Sequence, residues 1–322
     1  MRAAKPIGEV NGHGEGLSRR RGKGCKFMRP WWLFGLLVLG LLTVSSGLAG
    51  QVKHGKKIVL AYSSSSFLDV DVKDATAAMT VWSKEIGRGQ GMTVESIIFD
   101  DPTALLAQLQ AGKVDFAVLR SEEYLRIVKT PDFTAAVTVV YGGKKTQRFF
   151  LIVPAESPYQ GLKDLRNKSL AIFKSDTLSP LYLSNLLMKE KLPEIPKYFS
   201  TVAEKGTVSQ TLLSVFFGQS DACVINERTY ETAAELNPQL KRKLRIISIS
   251  PEFVLGLGVI RNDLDADLRE QLKQTLLSLG DTPRGKQIIA VFKCDRFVLV
   301  QPADLESVQK LIQENDQGKT RR

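Results

Sequence analysis

The chain is short of the residues on which most chemistry at neutral pH depends. Beyond residue 50 it holds one histidine, His54, and two cysteines, Cys223 and Cys294. A single histidine excludes a His-based catalytic triad and a His-rich metal site. Two cysteines are too few for a disulfide framework. Cys223 lies in an apolar strand pattern and Cys294 near the end of the chain, so two buried free thiols are expected rather than a bridge. A nucleophile would have to be Cys223 or a serine, with no general-base histidine to activate it. The chain therefore reads as a non-enzyme that calls for no cofactor. It also lacks a basic stripe interleaved with aromatics, which argues against nucleic acid as a partner. The formal charge of +11 is misleading, because residues 1–50 hold eight Lys/Arg and two Asp/Glu; without them it falls by six to +5.

There is only one long hydrophobic run. A basic lead (Arg19, Arg20, Arg21, Lys23, Lys26, Arg29) precedes the apolar stretch Trp31–Leu42, and small residues through Gly50 follow. This order matches a secretory signal peptide over residues 1–49, with cleavage after Ala49 and Met28 as an alternative start. An uncleaved membrane anchor is the rival reading, since Trp31–Ala49 approaches spanning length. Either places the folded part outside the cytoplasm, in the periplasm. Cys25 precedes the apolar core, so it does not look like a lipid-modified N-terminal cysteine.

What is present from Lys57 onward is an alternation of short apolar runs and helical patterns, the signature of an α/β fold. Strands are expected at Ile58–Tyr62, Thr93–Phe99, Phe116–Leu119, Ala136–Tyr141 and Phe149–Val153. A second block places them at Leu170–Phe173, Tyr198–Val202, Ala222–Ile225, Leu244–Ile249 and Val254–Ile260. Three helical stretches (Leu264–Leu279, Pro283–Phe292, Ala303–Glu314) close the chain before a frayed tail. Gly112–Tyr124 and Gly218–Tyr230 share the pattern Gly-x-x-Asp-x-[Ala/Cys]-Val-[Leu/Ile]-x-x-x-x-Tyr. Each copy would end a helix at Gly, open a buried strand at Asp and deliver a polar residue, Arg120 or Asn226, at the strand's carboxyl end. Two similar lobes follow, and strand ends of this kind are where α/β sheets collect ligands.

The densest candidate is Ser169–Met188. It reads as a strand, a hydroxyl-bearing loop (Ser175, Thr177, Ser179) and a helix with Ser179 at its N-cap and Pro180 at its first position. Free N–H groups there, aided by the helix dipole, suit an anion; alternatively Ser179 only caps its helix. From the first lobe Ser64 and Ser65 could donate hydroxyls or form a plain turn. Arg120, beside Ser121, could pair an oxyanion or else Glu122 or Glu123, and its strand-end position favours the ligand. Thr207 and Asn226 could contact ligand or serve as helix caps. Tyr124 and Tyr230 are expected to pack.

With these pieces in order, the sequence resembles a periplasmic solute-binding protein of ABC transport, in the phosphate/phosphonate-binding branch. The resemblance runs from Lys57 to Glu314. It rests on Gly112-Lys113-Val114-Asp115-Phe116-Ala117, Ser157–Lys168 with the stretch just described, Gly218-Gln219-Ser220-Asp221-Ala222 and Thr282-Pro283-Arg284-Gly285-Lys286. It implies a type 2 periplasmic-binding fold: two lobes with mixed sheets flanked by helices, joined by two hinge strands near Phe149–Val153 and Ile246–Ile249. Lobe one would comprise 57–148 and 250–314, lobe two 149–249, and 315–322 a disordered tail. The lobes would close on a small anionic or polar solute, and the monomer would serve a membrane permease; a sensor module reporting to a kinase is the alternative, an enzyme on the same fold a weaker one. The family's Ser-Thr-Ser-Gly element falls on Thr177-Leu178-Ser179-Pro180. Leu178 and Pro180 remove donors and Asp176 adds a carboxylate, changes that argue against the usual phosphonate.

Overall fold

The alternation folds into two mixed sheets flanked by helices. The computed structural model describes residues 57–67, 72–88, 92–127, 132–291 and 293–320. The expected export segment, Cys25, Met28 and His54 lie outside them. The first run of elements is β1 (Lys57–Ser63), α1 (Val72–Arg88), β2 (Thr93–Phe99), α2 (Pro102–Gln110), β3 (Phe116–Arg120), α3 (Ser121–Ile127) and β4 (Phe133–Val140). The second is β5 (Phe149–Pro154), β6 (Ser169–Phe173), α4 (Leu178–Lys189), α5 (Ile195–Tyr198), β7 (Thr201–Lys205), α6 (Val208–Phe216), β8 (Ala222–Asn226), α7 (Glu227–Leu236), α8 (Gln239–Lys243) and β9 (Leu244–Ile249). The chain then returns through β10 (Gly256–Arg261), α9 (Ala266–Leu277), α10 (Pro283–Val291), β11 (Arg296–Leu299) and α11 (Glu306–Thr320).

The first sheet has the order β11-β4-β10-β3-β1-β2 and the second β7-β6-β8-β5-β9. β1, β2 and β3 pair in parallel, and so do β6, β7 and β8; β10 and β5 join these groups antiparallel. Both faces of each sheet are covered, which is why the strands read as nearly continuous apolar runs. Ile58, Leu60, Trp82 and Leu272 belong to the core on one face of the first sheet, Leu105, Leu109 and Leu119 to that on the other. In the second sheet Leu170 and Leu183 mark one face, Ile152 and Leu212 the other. All of these side chains are buried, each worth about 1.5–3 kcal/mol of apolar transfer.

The repeated unit is built alike twice. Gly112 and Gly218 both have positive φ (65° and 71°), the left-handed turn that a side chain resists. Asp115 accepts a 2.8 Å hydrogen bond from the Val59 N–H at the start of β1, and Asp221 accepts one of the same length from the Ser169 N–H at the start of β6. Each Asp thereby ties its own strand to the parallel neighbour.

Several boundaries differ from the sequence expectation. Tyr198 ends the short helix α5 instead of opening a strand, because its hydroxyl donates to the Leu162 carbonyl at 2.7 Å and its ring is buried. Ala136–Tyr141 and Phe149–Val153 lie in different sheets. Phe149–Val153 and Ile246–Ile249 sit inside the second sheet, and the crossing runs just outside them. There Gln147 and Phe253 exchange two 2.8 Å backbone hydrogen bonds. The tail expected to be disordered from 315 is helical to Thr320. Val308 and Leu311 enter the second sheet's core, and Asn315, buried, donates to the Leu181 carbonyl at 3.2 Å. That helix, expected in lobe one, packs on α4.

Candidate functional site

The carboxyl ends of β1 and β3 deliver Ser63–Ser66 and Arg120–Glu123, and those of β6, β7 and β8 deliver Asp176–Ser179, Thr207–Ser209 and Asn226–Arg228. The first two groups meet the third in a buried network. Arg120, the largest fully buried side chain, donates from Nε to Glu122 Oε1 at 3.3 Å and from Nη2 to Asp176 Oδ1 at 3.1 Å. Its backbone N–H donates to Glu123 Oε2 at 2.9 Å. The Thr177 hydroxyl donates to Glu122 Oε1 across the same gap. Ser65 donates to Glu123 Oε1 at 2.8 Å and shares a 2.6 Å hydrogen bond with Ser63. Burial disfavours the Arg120 cation, but the carboxylates of Glu122, Asp176 and Glu123 more than offset this and raise its pKa. Burial raises the Glu123 pKa above the ordinary carboxylate value, despite the hydrogen bonds from Arg120 and Ser65 that favour its anion.

The start of α4 is occupied from within. The N–H groups of Leu178 and Ser179 donate to Asp176 Oδ1 at 3.1 and 3.3 Å. The helix begins at Leu178, so Thr177 is its N-cap residue and Ser179 stands second, contrary to the expected N-cap. Pro180 is accordingly third, where its missing N–H still costs no helical bond. The Ser179 hydroxyl is buried with no partner among the described residues. The chain's own carboxylate thus holds the place where an anion was anticipated.

The remaining expected residues divide between this network and an open space. Ser64 is half-buried at the start of the turn that carries Ser65. Ser121 is buried and donates to the Val254 carbonyl at 2.5 Å, while Ser175 is half-buried just before Asp176. Thr207 accepts from the Gln210 N–H at 3.1 Å and caps α6; Asn226 accepts from the Thr229 N–H at 2.9 Å and caps α7. Both also line a cavity of about 480 Å³ between the sheets. Tyr124 accepts from the Ala135 N–H, and Tyr230 packs edge-on against Phe150. Cys223 and Cys294 are buried free thiols; burial pushes both up, Cys294 to about 11.

The cavity brings in residues the sequence did not single out. Phe67 reaches it from the end of β1, beside Ser66 of the serine turn, Tyr141 and Gln147 from the crossing segment, and Arg228 from the first turn of α7. The Arg228 guanidinium lies 4.3 Å from the centre of the Tyr141 ring and donates to the Lys293 carbonyl. Its backbone N–H donates to Gln147 Oε1 at 3.2 Å. Because β7 and β8 each run parallel to β6, α6 and α7 both begin at the cleft. Two positive helix ends and a guanidinium therefore face one space, a field that favours negative charge. A signal for Arg228 existed: the internal match sets it at the position of Glu122.

The sequence profile of the family described as ABC transporter, phosphonate, periplasmic substrate-binding protein matches residues 67–305. "Probable ABC transporter phosphite binding protein PhnD1" of Prochlorococcus marinus (strain MIT 9301) is 23% identical over 161 residues, 48% of this chain. The match spans about half, 54%, of that relative. XAC2383 from Xanthomonas citri bound to ATP superimposes with a TM-score of 0.65 at 16% identity, over 83% of this chain and 99% of the other. PhnD1 from P. marinus (MIT 9301) in complex with methylphosphonate gives 0.63 at 19% identity, over 81% and 98%.

Proposed function

Because this chain belongs to the family of periplasmic substrate-binding proteins of ABC phosphonate transporters, we propose that it captures a small anionic solute in the cavity between its sheets and presents it to a membrane permease. The observation that carries this reading is the convergence on one cavity of Arg228 and the capped first turns of α6 and α7. The start of α4 is the weaker place, since Asp176 already takes its N–H groups and any oxyanion there would meet a carboxylate. Closure would turn on the two crossing segments that pair at Gln147 and Phe253. With lobe boundaries at 149 and 250, α11 would strap lobe two from outside. The basic-then-apolar N-terminal segment would direct export to the periplasm, where this family works.

Titration calorimetry of the purified protein against methylphosphonate, phosphite, phosphate and methanesulfonate tests the reading. At least one anion should bind, and Arg228→Gln should weaken it by roughly tenfold or more, the loss of one charge-assisted contact. Binding that is unchanged in Arg228→Gln, or absent for every anion, removes the cavity as the solute site.

A further inference from the structure

The cavity does not end at the mouth between the sheets. It continues along α7, whose lining residues step by three or four: Asn226, Thr229, Ala233, Leu236. At 1.5 Å per residue that row is about 15 Å long. Its character changes along the way. At the cleft end stand Thr207, Ser209, Asn226 and Arg228; at the far end stand Leu212, Leu213, Leu236 and Leu240. Two of those leucines are uncovered, Leu213 at 36% and Leu236 at 84% exposure. The volume, about 480 Å³, falls in the range that holds drug-sized organic ligands, about 300–1,000 Å³. A bare tetrahedral oxyanion held at Arg228 would leave most of it filled with water against leucine.

We infer that the solute is an amphiphilic organic anion, with its acidic head at Arg228 and the α6 and α7 helix ends and an apolar chain laid along the leucine wall toward Leu236. This rests on the cavity being the solute site, and it specifies the class of solute. The wall changes in the same direction as such a ligand: the Arg228 guanidinium with the hydroxyls of Thr207 and Ser209 at one end, and the leucines, interrupted by Thr232 and Asn237, toward the other. A head group alone would use the first half of the space, and an uncharged apolar molecule only the second.

Calorimetry of the full chain against methyl-, butyl- and octylphosphonate at submicellar concentration, with octyltrimethylammonium as the charge-reversed control, tests it. Affinity should rise by up to about fourfold per methylene, the increment for burying one CH₂, so the octyl compound should bind at least tenfold more tightly than the methyl one. Leu236→Asp should cut the octyl-to-methyl ratio by about tenfold. Leu236 is exposed, so the variant should fold, which circular dichroism would check; Leu213→Asp provides the second probe of the wall. If methylphosphonate binds and the series is flat, the amphiphilic class is wrong and the anion site stands. If neither phosphonate nor any other anion binds, the site itself falls and the inference with it. If the ammonium compound binds as well as octylphosphonate, the head-group assignment is overturned.

Discussion

Glu122 and Arg228 stand at the same place in the repeated unit, each the second residue of the helix that follows a buried strand, and they carry opposite charges. The difference decides what each end of the cleft does. On the Glu122 side a carboxylate meets Arg120 and Thr177 and the space closes on itself. On the Arg228 side a guanidinium is stacked on Tyr141 beside an open cavity. One structural unit, used twice, yields a half closed by its own carboxylate and a half that lines a cavity.

Arg120 is therefore expected to hold the fold as well as the cleft. Removing it leaves Glu122, Glu123 and Asp176 buried without their shared cation. Breaking a buried pair from one side costs about 3–5 kcal/mol, because the remaining charges lose their compensation. Arg120→Ala should lower the urea midpoint accordingly, with an unaltered slope. An unchanged midpoint would show that the network is not formed in solution.

How much of this was legible in the sequence follows from the range of each interaction. Apolar alternation located most strands, and Gly-x-x-Asp located both repeated units, because those signals are local. The start of α4 was misplaced by two residues because the side chain that satisfies its N–H groups is Asp176, upstream of the serine that looked like a cap. β11 is not legible in the sequence, since four residues at a sheet edge carry too little periodicity. Pro196 sits in the first turn of α5, where its fixed φ is tolerated. The pairing of Arg120 with Asp176 joins two sheets through side chains alone, and no pattern in either segment encodes it. Arg228 carries no such signal of its own: it lies two positions beyond the strand-end Asn226, and only the internal match to Glu122 marks it.

The acidic network also gives the protein a pH signature. The Glu123 pKa is raised in the fold. A carboxyl whose folded pKa exceeds its unfolded value contributes fully at low pH, and that contribution is lost as pH rises through the folded pKa. Glu123→Gln keeps the geometry of the protonated acid: its amide can donate to Ser63 or Ser65 and its carbonyl can accept from Arg120. The variant should match the parent near pH 4 and exceed it in thermal stability at pH 7. A parent that is the more stable of the two at pH 7 would show that the anion is the favoured native form.

The two aspartates of the repeated unit provide a paired test. Asp115→Ala removes the acceptor for the Val59 N–H and the partner of Arg261, 3.0 Å away. Asp221→Ala removes the acceptor for the Ser169 N–H, the Ser169 hydroxyl at 2.7 Å and the Tyr159 hydroxyl at 2.9 Å. Each should cost about 1–3 kcal/mol, the penalty for donors left unsatisfied. Asp221→Ala should be the more costly because three donors lose their acceptor. Its contribution should also fade in acid. Burial acts to raise the Asp221 pKa, but those hydrogen bonds lower it overall, so stability is lost as pH falls through the folded value. Equilibrium denaturation of both variants at pH 7 and at pH 3 would show whether the gap between parent and Asp221→Ala narrows.

Asp176 gives the sharpest test of why one end of the cleft is closed. Its carboxylate accepts from Leu178 N–H, Ser179 N–H and Arg120 Nη2, the donor set an external oxyanion would need. The Ser179 hydroxyl, without a partner among the described residues, lies on the same turn. Asp176→Ala removes the occupant and leaves the donors. The variant should lose stability in low-salt buffer, since two helical N–H groups and a guanidinium lose an acceptor. It should regain part of that loss on adding sulfate or phosphate, by mass action at the vacated position. The parent should show a smaller anion effect there, and Arg228→Gln should not abolish the rescue, because Arg228 serves the other end. Melting temperatures of parent, Asp176→Ala and the Asp176→Ala/Arg228→Gln pair across a sulfate series separate the two ends. Equal sulfate responses in parent and Asp176→Ala would show that the closed end is shut by packing rather than by its own carboxylate.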